Sequence, residues 1–384
     1  MEKEAALKDV ALSWWKPIDA ATFPARDFLF GKHYQRGTVS GTIAPGGSGK
    51  TSLCNVEAIS MSTAINLLGQ LVKQRLKVWY HNAEDSQQEV ERRILAICQY
   101  YSIEQSELDG WFLATSCELF DLHVARGYNE VKADDALIAA MCNKIAELEI
   151  DVVILDPLVN LHDVPEGGNS QMNHVISVFR SIAQSQNCAV EIEQHTRKQP
   201  VGMEVDYTGA DARGASSVRD AYRAQRVLNH PTKEEARAHG IADHERGLFV
   251  RVDVGEANNS RPGPPVWRRL VTTTLPNGDD IGVMEAWHPP GQGPDTPETA
   301  AANAQAESVF MQLLARFISQ GRLASDGNGK NYARSLFAEE PEARKAKLSK
   351  AALAAAMRRL FSANKICVNT TTSHAPRTRC LAPV

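Results

Sequence analysis

Residues 44–52 read Ala-Pro-Gly-Gly-Ser-Gly-Lys-Thr-Ser, and no other stretch of the chain constrains its fold as tightly. Gly46, Gly47 and Gly49 let the backbone turn with its N–H groups pointing inward, where a β-phosphate can sit. Lys50 is placed to reach the β- and γ-phosphates, and the Thr51 hydroxyl to hold Mg²⁺; Ser48 and Ser52 complete the candidate phosphate-binding set. Before the loop, Thr38 to Ile43 suits a short buried strand. After it, Leu53 to Leu68 carries apolar residues at helical spacing, so the loop sits on a helix N-terminus. The strict pattern has glycine where this chain has Ala44. A glycine-rich linker is the competing reading, and the strand–loop–helix context argues against it.

The rest of the first two-thirds alternates strands with helices. Strand candidates are 38–44, 76–82, 151–156 and 188–194; helix candidates are 50–68, 86–100, 132–148 and 171–186. Ser86-Gln87-Gln88-Glu89 fits a capping box at the start of the second helix. Such alternation implies a parallel sheet with the ligand at the carboxyl ends of its strands. After residue 222 the pattern turns β-rich, with strands expected at 247–254, 265–272 and 281–287. Residues 1–36 read as a polar leader whose aromatics (Trp14, Trp15, Phe23, Phe28, Phe30, Tyr34) are expected to pack across the main domain, 37–287. Four prolines in 288–303 mark a linker. Residues 304–384 then form an independent small domain.

Composition narrows the class. A chain of 384 residues, 43% hydrophobic, can bury the cores of two or three domains. It has no apolar run of about 18 residues to span a membrane, and it opens on the charged MEKEAALKDV rather than on a signal peptide. Its seven cysteines are scattered without a CxxC pair, which points to reduced thiols in a cytoplasm rather than a disulfide framework or a zinc site. The net charge of −4 hides an asymmetry: residues 301–384 hold 13 basic and 5 acidic residues, leaving 29 basic and 41 acidic before them. A basic appendage on an acidic body marks a segment that meets nucleic acid, or else a solvated helical face. Within it, LSKAALAAAMRRLFSANKICVNTT reads as a helix followed by a strand, as at the end of a winged helix. Arg358 and Arg359 would lie opposite its alanine-rich packing face, toward DNA.

Chemistry-bearing residues cluster where the strands should end. VWYHNAEDS places Glu84 and Asp85 just past the second strand, where Glu84 can polarise a water attacking the γ-phosphate; an acidic helix start is the alternative. IDVVILDPL ends in Asp156, a carboxylate suited to the outer sphere of Mg²⁺. CAVEIEQHT ends in Gln194-His195, a place to sense the γ-phosphate and pass its state to the loop 197–212. Finally, RGASSVRDAYR packs Arg213, Arg219 and Arg223 into one segment, and one of them can serve as an arginine finger on a neighbouring subunit's nucleotide, against surface salt bridges as the plainer role.

Taken together, PGGSGKT, NAED, VILD, HTRK and RGASSxxDxxR, in this order from about residue 25 to 275, resemble the RepA-type hexameric helicases of plasmids and, more broadly, the RecA-like ATPases of phages, plasmids and prophages. The resemblance implies an α/β fold: a RecA-like P-loop NTPase core with a mostly parallel sheet and helices on both faces, plus the small C-terminal winged-helix-like domain. It implies a hexameric ring that binds ATP with Mg²⁺ between subunits and acts on single-stranded DNA. Motif by motif, Lys50 and Thr51 hold phosphate and metal, Glu84 is the catalytic base, Asp156 the Walker B acid, His195 the sensor and Arg223 the finger acting in trans. Two departures stand out. The family's Lys-Ala-Asn segment reads Gly255-Glu256-Ala257-Asn258 here, and the tail after 300 is an addition. Within this resemblance a replicative helicase of a mobile element competes with a non-motor ATPase such as a helicase loader or a recombination or regulatory protein. A small-molecule kinase would need a lid and an acceptor pocket that the sequence does not offer.

Overall fold

The computed structural model describes residues 14–70, 72–128, 131–196, 206–212, 221–257, 265–290, 297–326, 331–346, 348–362, 365–371 and 378–383. Arg213, Arg219, the loop segment 197–205 and Asn258 lie outside them, as do the side chains of Glu256 and Arg358.

The chain divides into two compact units, Met1–Pro289 and Pro290–Val384. In the first, β1 (Phe28–Phe30) and β2 (Tyr34–Gln35) form a hairpin, and β3 (Val39–Ala44) leads through the glycine-rich loop into α1 (Lys50–Thr63). Then come β4 (Val78–Asn82), α2 (Gln87–Tyr101), β5 (Phe112–Ser116), the short β6 (Ala125–Arg126) and β7 (Lys132–Ala133), and α3 (Asp135–Leu148). They are followed by β8 (Val152–Asp156), the short β9 (His162–Asp163), α4 (Asn169–Ser185), β10 (Ala189–His195), β11 (Ala224–Asn229) and α5 (Lys233–Ala238). β12 (Phe249–Ala257), β13 (Val266–Thr274) and β14 (Asp280–Ala286) close the unit.

Nine of these strands make one sheet in the order β14-β13-β12-β11-β3-β10-β8-β4-β5. From β11 to β5 every neighbouring pair is parallel, while β12, β13 and β14 are added antiparallel. Strand periodicity explains how helices come to cover both faces. On β8, Val153 and Leu155 pack with Met141 and Ile145 of α3 and Phe179 and Ile182 of α4. Val152 and Ile154, one step out of phase, pack with Cys54, Ala58 and Met61 of α1 and Val90 of α2. This is the mostly parallel α/β P-loop core that the motifs implied.

In the second unit, α6 (Pro297–Ser319), α7 (Ala333–Ala338), α8 (Pro341–Lys345) and α9 (Lys350–Ser362) precede an antiparallel hairpin of β15 (Ile366–Thr371) and β16 (Thr378–Pro383). Phe310, Phe317, Phe337, Leu353 and Leu360 form its own core. Among the described residues no helix is long and apolar enough to cross a membrane.

Several local expectations are corrected. The leader aromatics do not act together: Phe30 and Tyr34 are core, whereas Trp14, Trp15 and Phe23 are 94%, 83% and 59% exposed. α1 stops at Thr63, because Ala64 turns left-handed at φ 59°. The stretch read as linker is helical from Pro297, a residue whose fixed φ suits the first turn of a helix. The capping box at α2 is half formed: Ser86 Oγ accepts from Glu89 N at 3.2 Å, but the Glu89 carboxylate is drawn to Arg92 at 2.6 Å and Arg93 at 3.2 Å. Arg359 does not project from the second unit, since its Nε donates to Glu307 of α6 at 2.7 Å. Two sheet strands escaped sequence reading: β5, which is half-buried, and β11, whose pattern is masked by the buried polar residues Gln225 and Arg226.

Candidate nucleotide site

The glycine-rich loop connects the exit of β3 to the start of α1, with left-handed backbone at Gly47 (φ 76°) and Gly49 (φ 79°), conformations that cost glycine little. Ser48 Oγ donates to Pro45 O at 2.7 Å and closes the turn internally. A Cβ at Gly49 would also lie 2.6 Å from Met284 Cε of β14, so the Met284 side chain would have to shift. Lys50 and Thr51 occupy the first turn of α1. Ser52 faces elsewhere: its hydroxyl donates to Gly282 O at 3.0 Å and accepts from Met284 N at 2.9 Å, so it anchors α1 to β14 rather than lining the loop.

Because β10, β8 and β4 run parallel to β3, their C-terminal residues meet the loop. Thr51 Oγ1 donates to Asp156 Oδ2 at 2.7 Å, and Tyr80 OH donates to the same oxygen at 3.3 Å. Lys50 Nζ donates to Asp156 Oδ1 and, at 2.9 Å, to Glu193 Oε2. All three ionisable groups are buried. Burial alone would raise the Asp156 carboxyl, yet Lys50, with hydrogen bonds from Lys50 and Thr51, holds it below the usual carboxylate range. Glu193 goes the other way: burial, and then repulsion from Asp156, push it up to about 8 against the pull of Lys50. One lysine cannot neutralise two carboxylates, so Asp156 keeps the charge and Glu193 takes the proton near neutral pH. The triad is then electroneutral.

Past β4 the backbone is shaped by Asn82, whose Oδ1 accepts from Glu84 N at 2.9 Å and Asp85 N at 2.6 Å. This turn separates the two acidic residues. Asp85 is tied to Arg93 Nη1 at 2.6 Å, whereas the Glu84 side chain is 60% exposed, its Oε2 lying 4.0 Å from His195 Nε2. Asp85 is thus a structural partner of α2, and Glu84 is left facing the site with His195 beside it.

Arg223 is not part of this cluster. Its N–H donates to Val39 O at 2.8 Å, at the entry end of β3. At about 3.3 Å per residue, β3 alone separates that point from the loop by about 16 Å. The Arg223 side chain is exposed there. Next to it, the buried Tyr222 donates to Gln194 Oε1 at 3.2 Å, linking the start of β11 to the strand that ends in His195.

Lys50, Thr51, Asp156, Glu84 and His195 therefore converge at one sheet edge. Glu193 and Tyr80 join them although the motifs did not single them out, as does Asn82, which opens the NAED motif but was given no role there. A signal for Glu193 existed: in CAVEIEQHT the two glutamates alternate with Val190 and Ile192, which places both on one face of a buried strand. The donor set is consistent with a nucleotide and its Mg²⁺: an ammonium and a hydroxyl lie side by side at a helix N-terminus, with a low-pKa carboxylate behind the hydroxyl.

Among solved structures, the crystal structure of the RadB recombinase is similar at 12% sequence identity, covering 62% of this chain and 89% of that chain with a TM-score of 0.41. A family model described as an AAA domain (AAA_25) matches residues 2–201, which takes in the loop, the Glu84 turn, Asp156 and His195. With more than half of its 384 residues matched, the chain belongs to the AAA domain family.

Proposed function

We propose that this protein is an ATP-hydrolysing, ring-forming RecA-like motor that acts on single-stranded DNA in the cytoplasm, the replicative helicase of a mobile element. The observation that carries the reading is the division of the machinery between two ends of one sheet. Lys50, Thr51, Asp156, Glu84 and His195 share the exit edge, while Arg223 stands at the entry edge, where only another subunit's nucleotide can reach it.

Lys50 and the loop N–H groups would bind the phosphates, and Thr51 with Asp156 behind it would hold Mg²⁺, which supplies charge neutralisation on the phosphates when bound. Glu84 takes the proton of the attacking water, because its carboxylate is exposed to the site and Asp85 is occupied by Arg93. His195, beside Glu84 at the end of β10, relays the state of the site into the loop that follows. Arg223 stabilises developing charge on the neighbour's nucleotide. The second unit, a helical body ending in a hairpin and carrying the basic excess of the chain, is assigned to DNA as a winged-helix-like module.

A non-motor ring, such as a loader or recombination ATPase, uses the same residues and is separated by assay. ATPase measured with and without single-stranded DNA, beside strand displacement on a forked duplex, tests the reading. DNA-stimulated hydrolysis with displacement supports the motor. Stimulation without displacement assigns the non-motor alternative, and hydrolysis indifferent to DNA removes both.

A further inference from the structure

Away from the loop edge, the sheet and α1 enclose a cavity of about 120 Å³ beside the β1–β2 hairpin. Two guanidiniums line it, Arg226 from β11 and Arg268 from β13. Arg226 is matched: Nη1 and Nη2 each donate to the Glu57 carboxylate at 2.6 Å, and Nε donates to Thr42 Oγ1 at 2.8 Å. Glu57 has little capacity left, because Tyr34 OH also donates to its Oε2 at 2.7 Å. His33, which also lines the cavity, sits on Glu191 at 2.9 Å.

Arg268 is different. It is only 7% exposed, its Nη1 donates to the Trp267 carbonyl at 2.9 Å, and its Nε is buried with no acceptor. Among the described residues it forms no ion pair. Burial pushes its pKa down to about 10, so it is still a cation at neutral pH. A buried charge without a partner is costly, and the two guanidiniums share one carboxylate. The remaining lining combines an apolar wall, Phe30, Leu53, Val252, Val254 and Val266, with the polar Gln70 and the exposed Lys32 of the hairpin turn.

We propose that this cavity is a binding site for a small organic carboxylate, which Arg268 grips through its planar fork while the apolar wall holds the aliphatic body. A guanidinium with a vacant Nε edge matches a two-oxygen monoanion, and charge-assisted pairing of that kind is the strongest available to it. Inorganic phosphate fits less well, because its oxygens have nothing to gain from the hydrocarbon wall beside Arg268. The proposal is independent of the chemistry at the glycine-rich loop.

The test uses the full chain and butyrate as the probe, with acetate, inorganic phosphate and chloride at matched ionic strength as comparisons, read by calorimetric titration and thermal midpoint. Saturable binding of butyrate in the millimolar range, several-fold tighter than acetate and absent with chloride, is expected. Arg268→Met should abolish it while leaving the thermal midpoint equal or higher, since it removes an unpaired buried cation and fills similar volume. Arg268→Lys, which keeps the charge without the fork, should weaken binding about tenfold and serves if the Met variant does not fold. No saturable butyrate binding to the wild type, equal binding of phosphate, or binding unchanged in either variant would each overturn the assignment.

Discussion

Glu193 Oε2 lies 2.9 Å from Lys50 Nζ, so the lysine expected to reach a nucleotide is held by a carboxylate from the strand beside its own loop. That carboxyl is raised to about 8 by burial and by Asp156. As pH rises through 8 it gains a negative charge next to the phosphate position. Nucleotide affinity of the wild type should therefore fall between pH 7 and 9 by about tenfold, the size of one pK unit. Glu193→Gln should flatten that dependence. Titration of a fluorescent ADP analogue at the two pH values checks it; equal slopes in the two proteins would leave Glu193 without influence on Lys50.

The same group carries a stability signature. Its folded pKa lies above the usual 4.5, so the folded state holds a proton that the unfolded state releases in that window. The contribution is fully present below about 4.5 and is lost as pH climbs through about 8. Urea midpoints should decline from pH 6 to 9 in the wild type and decline less in Glu193→Gln.

Lys50→Ala should reduce hydrolysis to background and weaken nucleotide binding. It removes the ammonium paired with both carboxylates and leaves Asp156 and Glu193 buried together without that cation. Turnover at the wild-type rate would remove the loop from the reaction.

Glu84→Gln should retain nucleotide and lose turnover, because the amide keeps the size and cannot take a proton. Rapid filtration of bound radiolabelled ATP separates the two effects. A proportional loss of binding and turnover would make Glu84 structural.

Arg223→Ala should lower turnover by about 10³-fold if it completes a neighbour's site. Mixing it with Lys50→Ala protein should restore part of the activity, since the two lesions fall in different sites of a mixed assembly. No recovery at any ratio would contradict action in trans.

The candidate site was legible in the sequence wherever one of its residues ends or closely follows a strand. Asp156 ends VVILD, His195 ends AVEIEQH and Glu84 follows VWYHN, and parallel pairing brings all three ends to one edge. Glu193 was not legible as a partner of Lys50, because their contact depends on β10 lying beside β3 with Glu193 opposite Thr42. The Arg226–Glu57 pair spans 169 residues and hides β11, since a charged strand reads as surface until its partner is known. Ser52 was misassigned for a similar reason: the register of β14, not the loop motif, determines what its hydroxyl meets.

A subunit with its lysine at one rim of the sheet and its arginine at the opposite rim is a polar building block. If Arg223 serves the neighbour, a two-fold related pair completes both sites only when it packs antiparallel, the lysine rim of each against the arginine rim of the other; a head-to-tail repeat completes them in series. Closed on itself, such a repeat has as many complete sites as subunits; left open, it always lacks one. Hydrolysis per subunit would then rise with assembly length in an open chain and become constant on closure. Turnover measured against protein concentration can therefore distinguish a ring from a filament before either has been imaged.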